Sequence, residues 1–212
     1  MIAEVWNDYL CPWAWLGRDR TGLLEELGVQ VGVVPYELHP EVPVGGRAHR
    51  PGGRYDQLLA SIEAECHLVD LPFQRPERTP NTRQALEWAE AVRIIDPVAY
   101  PALDRKLADA HWIHGHDLED HELLVELATG LDLDLDALEA LVVSGDARRA
   151  VDHSIARAHE RGVTATPSWL FDSRPEPFLL QGVQPRDTVR RWITRLLDRQ
   201  RADAGPGSGE DR

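Results

Sequence analysis

Residues Ile2 to Tyr9 form a short β-prone run that carries Val5 and Trp6 and ends in the polar pair Asn7-Asp8. After Leu10-Cys11-Pro12 the pattern turns helical, with Leu16, Leu23, Leu24 and Leu27 recurring at helical spacing. Pro12 suits a first helical turn, where its missing N–H costs nothing, and Gly28 suits the stop. A valine-rich strand is predicted over Gln30–Leu38, and His39-Pro40-Glu41-Val42-Pro43 with Gly45-Gly46 then reads as a loop. The opening strand, helix, strand order predicts a βαβ unit with a parallel pair.

From Tyr55 the pattern is helical, with candidates at Tyr55–Leu68, Thr82–Ile95, Val98–Ile113, Asp120–Thr129, Asp134–Val143 and Asp146–Arg161. No strand is expected in this stretch, and Asp120 and Asp146 read as N-caps. After Gly162, Ser168–Phe171 and Phe178–Leu180 read as strands joined by a turn over Asp172–Pro177. An amphipathic helix over Pro185–Arg199 follows, with Val189, Trp192, Ile193, Leu196 and Leu197 on one face, then a tail expected to be disordered. Neither half-sheet can bury its faces alone. The prediction is an α/β fold, βαβ then ββα, interrupted by a large all-helical cap. Residues 1–50 and 160–200 would form the sheet domain, 51–159 the cap and 201–212 the tail.

Composition narrows the function more than the fold. A hydrophobic share of 42% and a charged share of 28% are those of a globular chain, so global disorder is not expected. The net charge of −13 argues against general binding to nucleic acid or anionic lipid, both of which need a basic face. No stretch approaches the roughly 20 apolar residues of a membrane span, and Met1 runs straight into the first strand without a leader pattern. A cytoplasmic location is the expectation. The two cysteines, Cys11 and Cys66, are then more readily reactive or buried thiols than a structural bridge.

Cys11 stands where exposed helix-terminal N–H groups stabilise an anion, a setting that can lower a thiol pKa from about 8.5 to about 3.5–7.5. The second signal is Gly162-Val163-Thr164-Ala165-Thr166-Pro167-Ser168-Trp169, an X–Pro bond just ahead of a strand and a candidate cis peptide. With both in view, Asp8-Tyr9-Leu10-Cys11-Pro12-Trp13 and Trp15-Leu16-Gly17 resemble the active-site segment of the DsbA-like thioredoxin-fold family, nearest its FrnE-like branch. Glu37-Leu38-His39-Pro40-Glu41, Pro80-Asn81-Thr82 with Ala85, and Gly162 to Pro167 extend the resemblance over nearly the whole chain.

The resemblance implies a thiol–disulfide oxidoreductase with Cys11 as nucleophile and Pro167 cis. Thr166 backbone would then pair with an extended thiol substrate beside Pro167; Pro12, Trp13 and Ala14 would line the groove, and Asn81 would face the cleft. The alternative for Asn81-Thr82 is a capping pair for the helix that follows. The family pattern has a second cysteine where this chain reads Cys11-Pro12-Trp13-Ala14. Three explanations of Ala14 stand open: a monothiol enzyme resolved by an external low-molecular-weight thiol (glutathione or mycothiol), an engineered replacement, or resolution by Cys66 from the cap.

Related kappa-class glutathione transferases and 2-hydroxychromene-2-carboxylate isomerases share the layout and carry serine in place of Cys11. A glutathione- or mycothiol-dependent transferase or isomerase acting on a small aromatic, polyketide-like molecule is therefore the alternative activity. A non-catalytic binding protein is the third reading. The expected partner is a thiol or disulfide substrate, protein or small molecule; a homodimer is left open. No tightly bound cofactor is expected. His111, His114, His116 and His121 with Asp117, Glu119 and Asp120 are discounted as a metal site, because Gly115 breaks the spacing. Leu131 to Asp136 lacks the Gly and final Glu of a calcium loop. In glutathione-binding relatives the helix start at Gln181 to Pro185 helps hold a carboxylate, but a plain helix cap would look the same.

Overall fold

The computed structural model describes residues 1–173 and 176–203. Its main sheet has four strands in the order β2-β1-β5-β6, with β1 at Ile2–Asn7, β2 at Gln30–Pro35, β5 at Ser168–Phe171 and β6 at Phe178–Gln181. β1 runs parallel to β2, pairing Ile2 with Gln30, and antiparallel to β5, pairing Ala3 with Phe171. The β1–β2 crossover is α1, Pro12–Glu26. The helical stretch contributes α2 (Arg54–His67), α3 (Arg83–Ile95), α4 (Tyr100–Trp112), α5 (His121–Thr129), α6 (Leu135–Val143) and α7 (Asp146–Glu160), and α8 (Arg186–Asp203) follows the sheet.

Strand alternation sorts the core. Ala3 and Val5 point to one face, where Leu23 and Leu24 of α1 and Val189 and Ile193 of α8 cover them together with Trp169 and Phe171. Glu4 and Trp6 point to the other, which α7 closes: Trp6 packs with Ala158, Arg157 pairs with Glu4 at 2.7 Å, and the Ser154 hydroxyl donates to the Pro35 carbonyl at 2.8 Å. A larger cluster lies among α2 to α7 and takes in Trp15 and Leu16 of α1, so α1 is buried on two sides.

Four sequence expectations need correction. A two-stranded ribbon, β3 (Arg47–Ala48) with β4 (Arg78–Thr79), ties the long loop to the start of α3 where no strand was expected. Each strand is two residues long, too short for any period to register. The predicted strands ending at Tyr9 and Leu38 stop at Asn7 and Pro35. Asp146 is not the N-cap of α7. Gly145 holds that place at φ 76°, and Asp146 sits in the first turn beside the dipole, ion-paired to Arg149. The last helix continues to Asp203, past Arg199 and into the first residues assigned to the tail. The rest of that tail, 204–212, and part of the expected turn at Asp172–Pro177 lie outside the described residues.

Asp8 joins the sheet to the helices. It follows β1, is 1% exposed, and among the described residues has no arginine or lysine partner. Its carboxylate accepts from the Leu38 amide at 2.7 Å, the Thr82 hydroxyl at 2.7 Å and the Leu10 amide at 3.4 Å. These donors belong to the segment after β2, the start of α3 and the turn into α1. Burial outweighs the three hydrogen bonds, and the Asp8 pKa is raised to about 6. His111 shifts in the opposite sense. Burial against Trp112 pushes its pKa down to about 4, outweighing the His116 carbonyl, 3.3 Å from Nδ1, and the charge of Asp117.

The two groups pull stability in opposite directions between about pH 4 and 6. There the folded state holds a proton on Asp8 that the unfolded chain has lost, so Asp8 lowers stability as pH rises. The unfolded chain holds a proton on His111 that the folded state lacks, so His111 raises stability as pH rises. Thermal unfolding midpoints at pH 4, 5 and 6 should therefore climb more steeply with pH in Asp8→Asn than in the wild type, and less steeply in His111→Gln. Parallel profiles in all three proteins would contradict the assignment.

Candidate active site

Cys11 occupies the N-cap position of α1 with extended backbone, φ −85° and ψ 114°, and Pro12 follows in the first turn. The turn before it is set by Asp8, whose carbonyl accepts from the Cys11 amide at 3.1 Å and whose carboxylate accepts from Leu10. The sulfur is thus placed at the end of β1, over the start of a helix. It is only 3% exposed and packs with Leu10, Ala14 and Leu38.

Across from it the Thr166–Pro167 peptide is cis, and the Cys11 thiol donates to the Thr166 carbonyl at 3.3 Å. Close packing of α1 against this loop requires Gly17. A Cβ there would meet Pro167 Cγ at 2.7 Å, well inside contact distance. Thr166 is itself buried, and its hydroxyl has no hydrogen-bond partner among the described residues.

The thiol is under opposed influences. Burial raises the Cys11 pKa and is the largest effect, and the charge of Asp8 adds to it. The Thr166 hydroxyl and the amides of Ala14 and Trp13 act the other way, favouring the thiolate. The net shift is upward, so the expected depression of this thiol is reversed. Sequence placed the sulfur at a helix N-terminus but gave no measure of how completely Leu10, Ala14 and Leu38 enclose it.

Cys11, Pro12 and Trp13 line one side of a cavity of about 690 Å³ between α1 and the start of α2. Trp13 is 37% exposed, and Leu10, Leu38, Val42 and Leu58 supply an apolar floor. Arg47, His49, Arg50, Arg54 and Tyr55 also line it. His49 is fully engaged, Nδ1 lying 2.9 Å from the Pro76 carbonyl and Nε2 lying 2.8 Å from Thr79 Oγ1, with its ring 4.4 Å from that of Tyr55. Burial raises the Tyr55 pKa to about 12, so its hydroxyl stays protonated.

Cys11, Pro12, Trp13, Thr166 and Pro167 come together as the sequence groups them. Of these, Cys11, Pro12 and Trp13 line the cavity, Thr166 and Pro167 do not, and nor does Asn81. Its Nδ2 donates to the Val42 carbonyl at 2.7 Å and its Oδ1 accepts from the Arg83 amide at 3.0 Å, which leaves it a structural tie at the start of α3. Its neighbour Thr82 reaches the site instead, through Asp8. Ala14 is buried beneath Cys11. Cys66 lies in the helical core with Trp15, Leu59 and Ile62, does not line the cavity, and has its pKa raised to about 12 by burial. Both cysteines are free thiols. Sequence reading missed the wall of Arg47, Arg50 and Arg54. Three arginines spaced three and four apart in an acidic chain were the available signal.

Among the described residues no three His, Cys, Asp or Glu side chains are grouped to hold a metal ion, and no helix is long and apolar enough to cross a membrane.

No curated protein matches the sequence significantly. Solved structures do match its fold over almost the whole length. A probable DsbA oxidoreductase from Streptomyces coelicolor superposes with a TM-score of 0.78 at 22% identity, covering 100% of this chain and 94% of that one. A 2-hydroxychromene-2-carboxylate isomerase gives 0.72 at 20% identity, over 97% and 100% of the two chains. The cytosolic disulfide reductase DsbM from Pseudomonas aeruginosa, in its structure with GSH, gives 0.64 at 18% identity, over 95% and 100%. The DSBA-like thioredoxin domain model matches residues 2–194, and this chain, with its cysteine at the helix start and its facing cis-proline, belongs to that family.

Proposed function

We propose that this protein is a FrnE-like thiol–disulfide oxidoreductase that works with one active-site sulfur, Cys11, and takes its second thiol from an external small thiol such as glutathione or mycothiol. One observation carries the reading: Cys11 caps α1 directly opposite cis-Pro167, while Ala14 fills the place of the usual second cysteine. Support also comes from the fold shared with a protein described as a cytosolic disulfide reductase and solved with GSH. The same reading puts the protein in a reducing, cytoplasmic setting.

The chemistry is two exchanges. The Cys11 thiolate attacks one sulfur of a substrate disulfide; a Cys11–substrate disulfide forms, the substrate S–S bond breaks, and the second substrate sulfur leaves as a thiolate. An external thiolate then attacks the substrate sulfur of that mixed disulfide, and Cys11 leaves as thiolate. The amides of Trp13 and Ala14 and the Thr166 hydroxyl stabilise the anion at each step. The substrate lies against Trp13 and along the Thr166 backbone. Asn81 acts one step removed by holding the start of α3.

The missing second thiol also favours a second reading, a glutathione- or mycothiol-dependent transferase or isomerase acting on a small aromatic substrate. There Cys11 would not be consumed, and saturable thiol binding would persist in Cys11→Ser. Loss of that binding alongside loss of exchange supports the first reading.

Two outcomes follow from the oxidoreductase account. Ala14→Cys should form an internal disulfide with Cys11 on oxidation and reduce a protein disulfide substrate in a manner no longer first order in added small thiol. A variant that stays monothiol and fully dependent on added thiol would contradict it. Removing the Asp8 charge removes one of the influences holding the sulfur protonated. The pH midpoint of Cys11 alkylation should therefore fall in Asp8→Asn, and an unchanged or higher midpoint would show that Asp8 does not act on the thiol.

A further inference from the structure

Resting on the assignment of Cys11 as the exchanging thiol, we propose that the arginines lining its cavity select small acidic thiols and disulfides, molecules with two or more carboxylate or phosphate groups beside the sulfur. Arg47 on β3, Arg50 in the loop after it and Arg54 at the first position of α2 line the same cavity as Cys11, Pro12 and Trp13. All three are exposed. Among the described residues, none has a carboxylate oxygen within 4.0 Å, whereas Arg75, Arg78 and Arg83 of the same helical half are each paired with acids. In a chain with a net charge of −13, three neighbouring guanidiniums left without partners are a concentrated exception.

The cavity holds almost nothing to offset them. Its one acidic lining residue, Glu41, is close enough to Arg47 to feel its charge and lies 2.9 Å from His39 Nδ1. His49 is occupied on both ring nitrogens and serves as wall. A cavity of about 690 Å³ is the size that accepts a small molecule rather than a protein surface. Its apolar floor receives the carbon skeleton, Cys11 meets the sulfur, and the guanidinium forks meet planar acid groups two N–H donors at a time. A ligand whose only charged group is an ammonium would meet three like charges here, with Glu41 alone to offset them. Charge thus sorts the substrates, and the arginines set specificity without touching the reacting sulfurs.

The test compares second-order rates of Cys11 with three aromatic disulfides that share one leaving-group skeleton: the dicarboxylate, its bis-phosphate counterpart and its neutral diamide. Each rate is normalised to that of the same disulfide with the urea-unfolded protein. The wild type should prefer the acidic reagents by about tenfold or more, and the preference should shrink as salt is added. In the triple variant Arg47→Gln, Arg50→Gln, Arg54→Gln the acidic-to-neutral ratio should fall close to one with an unshifted thermal midpoint. Comparison of the carboxylate and phosphate reagents identifies which acid the wall prefers. A wild-type ratio near one, or a ratio unchanged in the triple variant, overturns the proposal while leaving Cys11 as the exchanging thiol. If folded Cys11 is inert to all three reagents, the assignment of Cys11 fails and the proposal with it.

Discussion

A carboxylate buried without a cation is expensive unless hydrogen bonds replace its water, and Asp8 obtains them from three separate parts of the chain. That requirement fixes the end of β1 against the end of β2 and the first turn of α3. With those three held, the turn from Asp8 to Cys11 has little freedom, and the sulfur is delivered to the N-cap of α1. Thr82, from the helical half, is the only side chain among the three donors; the other two are backbone amides. The helical block is thereby joined to the sheet at the point where the chemistry resides.

The same group works against the thiol it positions. Its negative charge, added to the enclosure of the sulfur by Leu10, Ala14 and Leu38, holds Cys11 protonated, while the α1 amides and the unpartnered Thr166 hydroxyl favour the thiolate. A sulfur held protonated in this way is less exposed to indiscriminate oxidation, because the thiolate is the reactive form. Ala14 removes the internal escape from a mixed disulfide, so the lifetime of that intermediate depends on what else can reach the sulfur. The cavity wall of Arg47, Arg50 and Arg54 then matters as much as the cysteine, because it governs which small thiols arrive.

Much of this was legible in the sequence, for physical reasons that differ by element. The long helices and the four main strands announce themselves by apolar periodicity, and Cys11-Pro12 and Thr166-Pro167 by local chemistry that needs no tertiary knowledge. The β3–β4 ribbon was not legible, since two-residue strands have no period. Asp146 looked like an N-cap because its residue type fits either the cap or the first turn, and only the left-handed backbone at Gly145 decides between them. Asn81 drew attention that belonged to Thr82: adjacent polar residues look alike in sequence, and which one reaches Asp8 depends on how α3 docks. The direction of the Cys11 pKa shift was misread for the same reason. A helix N-terminus is visible in one dimension, whereas burial is a property of the assembled core.

The most direct test of Cys11 as a lone exchanging sulfur is intact-mass analysis, with peptide mapping, after incubation of the reduced protein with oxidised glutathione. The account requires a single glutathione adduct on Cys11 that persists after the excess reagent is removed and disappears only when a small thiol is added. A Cys11–Cys66 disulfide, or an adduct confined to Cys66, would contradict it.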